Sequence, residues 1–383
     1  MSGNLLIGID ASRAVVAQRT GTENYSLQVI RSLIMAGPEH RYRLYLREPA
    51  PRALLPEGHQ VEQVCLGPHR LWTHLGLSRE MLRRPPDVLF VPSHVVPVWH
   101  PLATVVTVHD LGYRFFPHEH PWRARLYLDI STRFSSRVAC RVVADSQATS
   151  SDLQSQYGIA PSKITVAYPG VDTTLRRAEE TAQRQVRQRY HLARPFVLYV
   201  GTIQPRKNLR RLVEAMARLP GDLQDVDLVL AGRVGWLADD IHKAVDDLGL
   251  ADRVRFLGYV PQEDLAALLS AAECFVMPSL YEGFGLPVLE AMACGTPVIC
   301  AEAGSLPEVA GDAALLFAPT DVQALAEALT RVLRDAGLRS ELAARGYRQC
   351  ARFSWERCAR QILTVLLEAA KQARRCPQAP GRV

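Results

Sequence analysis

Hydrophobic and polar positions along the chain repeat in two alternating patterns. Short apolar runs rich in Val, Ile and Leu occupy residues 5–9, 42–46, 61–66, 88–91, 105–108 and 142–144, and again 196–200, 226–231, 254–257, 274–277, 297–300 and 314–317. Between them lie stretches with the three-to-four-residue apolar spacing of amphipathic helices, among them 23–35, 123–138, 209–218, 263–272 and 286–293. Runs of this length are strands, and strands alternating with helices predict parallel sheets joined by right-handed crossovers.

The rhythm breaks once. Tyr168-Pro-Gly-Val-Asp172 has turn chemistry, a charged segment follows, and a fresh strand begins after Pro195. The fold class is therefore α/β, with two Rossmann-like parallel-sheet domains facing across a cleft. The first spans residues 1–172, a linker 173–194, and the second 195–354. A last helix, 355–375, is expected to cross back onto the first domain, and the tail 376–383 to fray. In open α/β sheets ligands sit beyond the carboxyl ends of the strands, so the chemistry belongs in the loops that follow them.

Composition narrows the class. At 383 residues, with 48% hydrophobic and 22% charged residues, the chain reads as a globular protein of two cores. The start, MSGNLLIGID, is a first strand rather than a secretory signal, and no apolar run is long enough to span a bilayer. Eight cysteines without a CxxC pair read as reduced thiols of a cytoplasmic protein. The net charge of +6 is modest and arginine-based, with lysine only at 163, 207, 243 and 371. It implies no nucleic-acid partner.

Two segments carry chemistry. In Pro278-Ser-Leu-Tyr-Glu282-Gly283-Phe284-Gly285-Leu286-Pro-Val-Leu-Glu290 a strand ends in a glycine-rich turn and a helix begins, a setting suited to an anion such as a diphosphate. Glu282 and Glu290 beside an anion site suit hydroxyl groups, one of a hexose and one of a ribose. The plainer alternative is a surface acid and a helix N-terminal acid. In Gly201-Thr-Ile-Gln-Pro-Arg206-Lys207-Asn208 a glycine lets the strand exit tightly and two cations follow. A guanidinium fork and a compact ammonium suit a pyrophosphate leaving group, and Asn208 is placed as the N-cap of the next helix.

As a set these segments resemble the family-4 retaining glycosyltransferases of the GT-B fold. Gly232 closing LVLAG, Phe256-Leu-Gly-Tyr259 and Phe353-Ser-Trp355 extend the resemblance over nearly the whole chain. It implies that the second domain binds a nucleoside-diphosphate sugar. Arg206 and Lys207 would hold the diphosphate after Gly201, and Glu290 the ribose. Glu282 and the amides of Gly283, Phe284, Gly285 and Leu286 would hold the transferred sugar. In the first domain, Gly21 stands where relatives carry a glycine-rich donor loop, but this chain has one glycine there. Thr104-Val-Val-Thr-Val-His109-Asp110 places a histidine and an aspartate at a strand end. The resemblance sets His109 near the sugar, through its ring or its carbonyl, and Asp110 near the acceptor. Asp145-Ser146 reads mainly as a helix cap.

No metal ligand set is visible, and no cofactor is expected, since the nucleotide sugar is a substrate. A mannosyl donor on guanosine is expected from the His-Asp pair, with a uridine diphosphate sugar as the alternative; the acceptor would be a glycan or lipid-linked glycan. In 123–138 the stripe Leu126, Ile130, Phe134 and Val138 predicts a sheet-facing side with Arg133 and Arg137 outward; the other reading is peripheral contact with an anionic membrane at its inner face. Three other functions would suit parts of the sequence. A nicotinamide oxidoreductase lacks GxGxxG after the first strand. A GT-B epimerase and a non-catalytic sugar-binding protein stay open.

Overall fold

A computed structural model of the chain describes residues 4–16, 21–67, 70–119, 121–235 and 239–375. They form two units. One comprises the described residues up to Gly170 together with those from Ser354 onward, and the other Val171–Phe353.

The first unit holds a seven-stranded sheet of β1 (Leu6–Asp10), β2 (Arg41–Leu46), β3 (Val61–Cys65), β4 (Val88–Val91), β5 (Thr104–Val108), β6 (Arg141–Ala144) and β7 (Ile164–Val166). Its order is β3-β2-β1-β4-β5-β6-β7, and every pairing is parallel. Chain order reverses between β1 and β4, so the switch point of the sheet lies where those two strands end. β4 and β5 are buried along their whole length, as central parallel strands covered on both faces must be. β7 is three half-buried residues at the sheet edge, too short to stand out in the sequence.

The helix Trp355–Arg375 belongs to this unit and packs against the helix Gly21–Ala36, where Trp355 meets Tyr25, and its buried residues include Ala359, Ile362, Leu366 and Ala370. The helix Trp122–Val138 departs from its predicted orientation. It packs on β5 through Ser131, Thr132, Ser135 and Ser136, with Ser135 Oγ accepting the Val96 N–H at 2.9 Å. Trp122, Leu126 and Ile130 are instead 64%, 50% and 59% exposed. Small hydroxyl side chains fit the approach to the sheet while satisfying a loop amide there, and the first half of the apolar stripe turns outward, while Phe134 and Val138 stay half-buried.

The second unit holds a six-stranded sheet of β8 (Phe196–Val200), β9 (Asp227–Ala231), β10 (Val254–Gly258), β11 (Cys274–Met277), β12 (Val298–Ala301) and β13 (Ala314–Phe317), in the order β10-β9-β8-β11-β12-β13 and again all parallel. Its switch point lies between β8 and β11. Phe196, Leu198, Leu228, Leu230, Phe275, Ile299 and Leu329 form the middle of its core. The segment 173–194, expected as a linker, is part of this unit. It contains the helix Glu180–Arg189, which packs on the helix Gln262–Ala271 and joins it through Arg189 to Asp264. The tail 376–383 lies outside the described residues. Among those residues, Cys65, Cys140, Cys274, Cys294, Cys300, Cys350 and Cys358 are free thiols, and no helix is long and apolar enough to cross a membrane.

Candidate functional site

Every singled-out polar residue of the second unit except Glu290 lies in a loop after β8 or β11, at the switch point. β8 leaves through Gly201 at φ +151°, and β9 through Gly232 at φ +148°. A Cβ on Gly232 would lie 1.9 Å from the Gly201 carbonyl oxygen, so only glycine permits this approach. The chain then turns through Pro205–Lys207, a short 3-10 segment that presents both cations. Lys207 Nζ donates to Glu282 Oε1 at 2.5 Å, Arg206 Nη1 lies 3.6 Å from Glu282 Oε2, and the Ser279 hydroxyl donates to Oε1 at 2.5 Å. Arg206 also donates to the Tyr281 carbonyl at 2.6 Å. Burial of Glu282 works against its ionisation, but Lys207, Arg206 and Ser279 outweigh it and hold the carboxyl below its ordinary value. The three charges predicted to meet different parts of a ligand thus lie in a single cluster, two cations sharing one carboxylate.

The turn after β11 is held from behind. Ser305 Oγ donates to the carbonyls of Glu282 (3.0 Å) and Phe284 (2.7 Å), and the Ser305 N–H reaches Glu282 O at 3.2 Å. Gly285, at φ +98°, occupies the N-cap position of the helix Leu286–Ala293, with Pro287 in its first turn. Gly283 and Phe284 are buried within the turn, and Leu286 is half-buried. Glu290 lies in the second turn of that helix. Burial, reinforced by the charge of Asp172, pushes its carboxyl up to about 7.

Asn208 corrects its predicted role. It stands at the N-cap position of the helix Leu209–Ala217 but at φ +58°, and its side chain makes no cap bond. Nδ2 donates instead to the carbonyls of Pro278 (2.9 Å) and Pro319 (2.7 Å), tying the β8 loop to the β11 loop. Ser279 and Ser305 had no sequence signal beyond lying in loops after strands.

In the first unit the polar side chains gather at the ends of β1, β4, β5 and β6. Asp10, ending β1, is buried and accepts the Ser12 N–H at 3.0 Å. Gly21 opens the helix Gly21–Ala36 in open space; residues 17–20 before it lie outside the described residues. His109 follows β5 and is buried. Its Nδ1 bonds Asp145 Oδ2 at 2.5 Å and its Nε2 donates to the Pro92 carbonyl at 2.9 Å. Both ring nitrogens are occupied, so the ring bond to a sugar hydroxyl raised by the resemblance is not available in this arrangement. Asp110 Oδ1 accepts the Gly112 N–H at 2.8 Å. Ser146 is the N-cap of the helix Gln147–Tyr157, accepting from the Thr149 N–H; Asp145, read with it as a cap, is the partner of His109.

Comparison with known proteins follows the same division. Residues 19–175 match the family described as Glycosyltransferase Family 4 and residues 182–349 the family described as Glycosyl transferases group 1. The chain is 37% identical over 263 residues to the O-antigen chain mannosyltransferase B of Escherichia coli, an alignment that covers 68% of this chain and 69% of that one. It is 32% identical over 286 residues to the MMP alpha-(1->4)-mannosyltransferase of Mycolicibacterium hassiacum, covering 74% and 67%. Among solved structures, Anabaena HepE in complex with UDP and glucose superposes with a TM-score of 0.74 at 22% identity over 94% of this chain and 98% of that one, a likeness of fold.

Proposed function

The chain belongs to glycosyltransferase family 4, with the GT-B fold, and from that premise we propose that it moves mannose from GDP-mannose to a glycan or lipid-linked glycan, with retention of anomeric configuration. The observation that carries the reading is the cluster of Lys207, Arg206 and Glu282 at the switch point of the second sheet. A diphosphate arriving there would take Lys207 and Arg206 as its counter-ions, and the Glu282 carboxylate they release would accept hydroxyls of the transferred sugar. Half-buried cations of this kind would stabilise negative charge as it grows on the leaving phosphate. Glu290, when ionised, would accept the ribose hydroxyls. The acceptor oxygen would bond the anomeric carbon on the face from which the diphosphate leaves. Its proton would pass to the departing phosphate oxygen, so that no enzymatic nucleophile is required. His109, through its carbonyl, and Asp110 are assigned to the sugar and the acceptor. The mannosyl choice rests on the two named mannosyltransferase relatives. It places the reaction in polysaccharide or cell-envelope synthesis.

The test is thermal stabilisation by GDP, UDP, GDP-mannose and UDP-glucose, repeated with Arg206→Ala, Lys207→Ala and Glu290→Ala. A ligand at a hundred times its Kd adds about 2.7 kcal/mol. The expected result is a shift for the guanosine ligands that the variants lose. A shift for the uridine ligands alone reassigns the donor, and no shift for any ligand removes the donor site.

One observation favours a second contact. The outward stripe Trp122, Leu126 and Ile130, with Arg123, Arg133 and Arg137 exposed on the same helix, has the composition of a surface that lies on anionic lipid. Co-sedimentation with phosphatidylglycerol vesicles at low salt, lost at high salt and in Trp122→Ala/Ile130→Ala, is expected; no pelleting at low salt ends this reading.

A further inference from the structure

His109 is held from five directions, all within the first unit. Its N–H donates to His94 Nε2 at 3.3 Å, and its carbonyl accepts the Thr149 hydroxyl at 3.0 Å. Its ring bonds Asp145 on one nitrogen and the Pro92 carbonyl on the other. The edge of Tyr25 meets the ring at 4.7 Å and 78°, with the Tyr25 hydroxyl placed 3.3 Å from Thr107 Oγ1. A carboxylate and a carbonyl are both acceptors, so the geometry asks for a proton on each ring nitrogen. Next to it, His94 uses Nε2 as an acceptor and sits at φ +28°, a region that non-glycine residues seldom occupy. The β4 loop is thus bent so that one histidine serves the other.

We propose that Asp145 is a positioning residue for the transfer reaction: it fixes His109 as a doubly donating imidazolium and so sets the backbone at the end of β5, from which the His109 carbonyl and Asp110 project. This rests on the reading that His109 and Asp110 belong to the reacting site. A strand end that must meet developing charge gains rate from being held in advance. Here the ring is the anchor and the backbone the working part. Thr149, in the first turn of the helix Gln147–Tyr157 that follows Asp145, holds the carbonyl.

Burial holds the Asp145 carboxyl above its ordinary value despite the charge and bond of His109, while the balance at His109 favours the proton. Burial works against charge on His109, but the Asp145 carboxylate, the bond to Pro92 and the nearby Asp110 outweigh it, and its pKa lies above the ordinary value. Burial and the His109 charge push His94 down to about 3, so it stays neutral. The groups around the pair are Asp110, His94, Arg13, Tyr25 and the Cys358 thiol of the last helix. With a raised folded-state pKa, the stabilisation from His109 is complete below the ordinary histidine value and fades only as the pH passes the raised one.

The experiment is 15N histidine NMR of the full chain across about pH 6 to 8.5, around the ordinary histidine value of about 6.5, with transfer assayed by GDP release from GDP-mannose to octyl α-mannoside. In the wild type His109 is expected to keep both ring protons beyond the pH at which an ordinary histidine loses one, and kcat to show no step at the ordinary histidine value. In Asp145→Asn, His109 is expected to lose a ring proton at lower pH than in the wild type, because burial then works against its charge without the Asp145 carboxylate. Its kcat should fall about a hundredfold, less at low pH where the imidazolium re-forms, while the KM for GDP-mannose stays within about twofold. An ordinary titration of His109 in the wild type overturns the proposal, and needs no variant to fold. So does a variant that melts earlier but keeps the wild-type kcat and pH profile. The donor reading fails separately, as absence of a GDP thermal shift in the wild type.

Discussion

The two sheets place their chemistry alike and dress it differently. Both gather polar side chains at the carboxyl ends of their strands, spread over β1, β4, β5 and β6 in one and concentrated at the switch point between β8 and β11 in the other. In the second unit the cluster is ionic: Lys207 and Arg206 share Glu282, whose place a diphosphate would take on the proposed reading. In the first, His109 is tied through both ring nitrogens and both backbone groups. On the proposed reading, the site that captures and releases a diphosphate uses cations that share a partner able to let go, and the site that presents a fixed backbone uses a buried pair.

The comparison breaks most visibly at the ionic cluster. Lys207→Ala is expected to lower kcat/KM for GDP-mannose by about 10²–10³-fold, the usual loss when a charge-stabilising group is removed. It also leaves Glu282 buried with one cation fewer, so its carboxyl should rise. Steady-state GDP release checks the first point, and an effect below tenfold would mean that the cluster is structural. Ser305→Ala tests whether the turn must be held from behind. Removing its hydroxyl leaves the Glu282 and Phe284 carbonyls without that donor, at about 1–3 kcal/mol, and is expected to weaken GDP binding about tenfold in calorimetry. Gly232→Ala forces the Gly201 carbonyl aside and is expected to lower the melting temperature together with GDP affinity, whereas Gly21→Ala, with open space around it, should change neither.

The smallest effect is one of pH. The Glu290 carboxyl stands at about 7, above its ordinary value. Between those values the unfolded chain gives up the proton and the folded chain keeps it, so this group makes stability fall as pH rises through that window and then level off. GDP binding should move the other way, tightening above pH 7 as the ribose acceptor ionises. Glu290→Gln is expected to flatten both trends and to melt slightly higher at alkaline pH, by thermal shift at several pH values.

Much of this was legible because parallel strands buried on both faces write themselves as continuous apolar runs, and the loops after them hold the polar residues. Thus Arg206, Lys207, Glu282 and His109 were found by position. What escaped were relations across long sequence distance. Asp145 lies 36 residues from His109, and Ser305 lies 23 from Glu282, so neither spacing carries a local signal. Asn208 stood at a cap position, and the sequence could not tell that its amide would instead reach Pro278 and Pro319. The helix Trp122–Val138 shows another limit. Periodicity divides a helix into faces, but four hydroxyl residues packed on β5 decide which face turns in. Likewise 173–194 looked like a linker because charge dominates its sequence, while Arg189 and Asp264 tie it to its unit.

The central claim is transfer with retention from a guanosine donor, and it is tested most directly by product stereochemistry. GDP-mannose labelled with 13C at the anomeric carbon would be incubated with the protein and octyl α-mannoside and followed by NMR. A new α-linked anomeric signal growing as the α-linked donor disappears, and absent with Lys207→Ala, is the predicted result. A β-linked product would contradict retention, and an untouched donor in the presence of folded, GDP-binding protein and acceptor would contradict the proposed transfer.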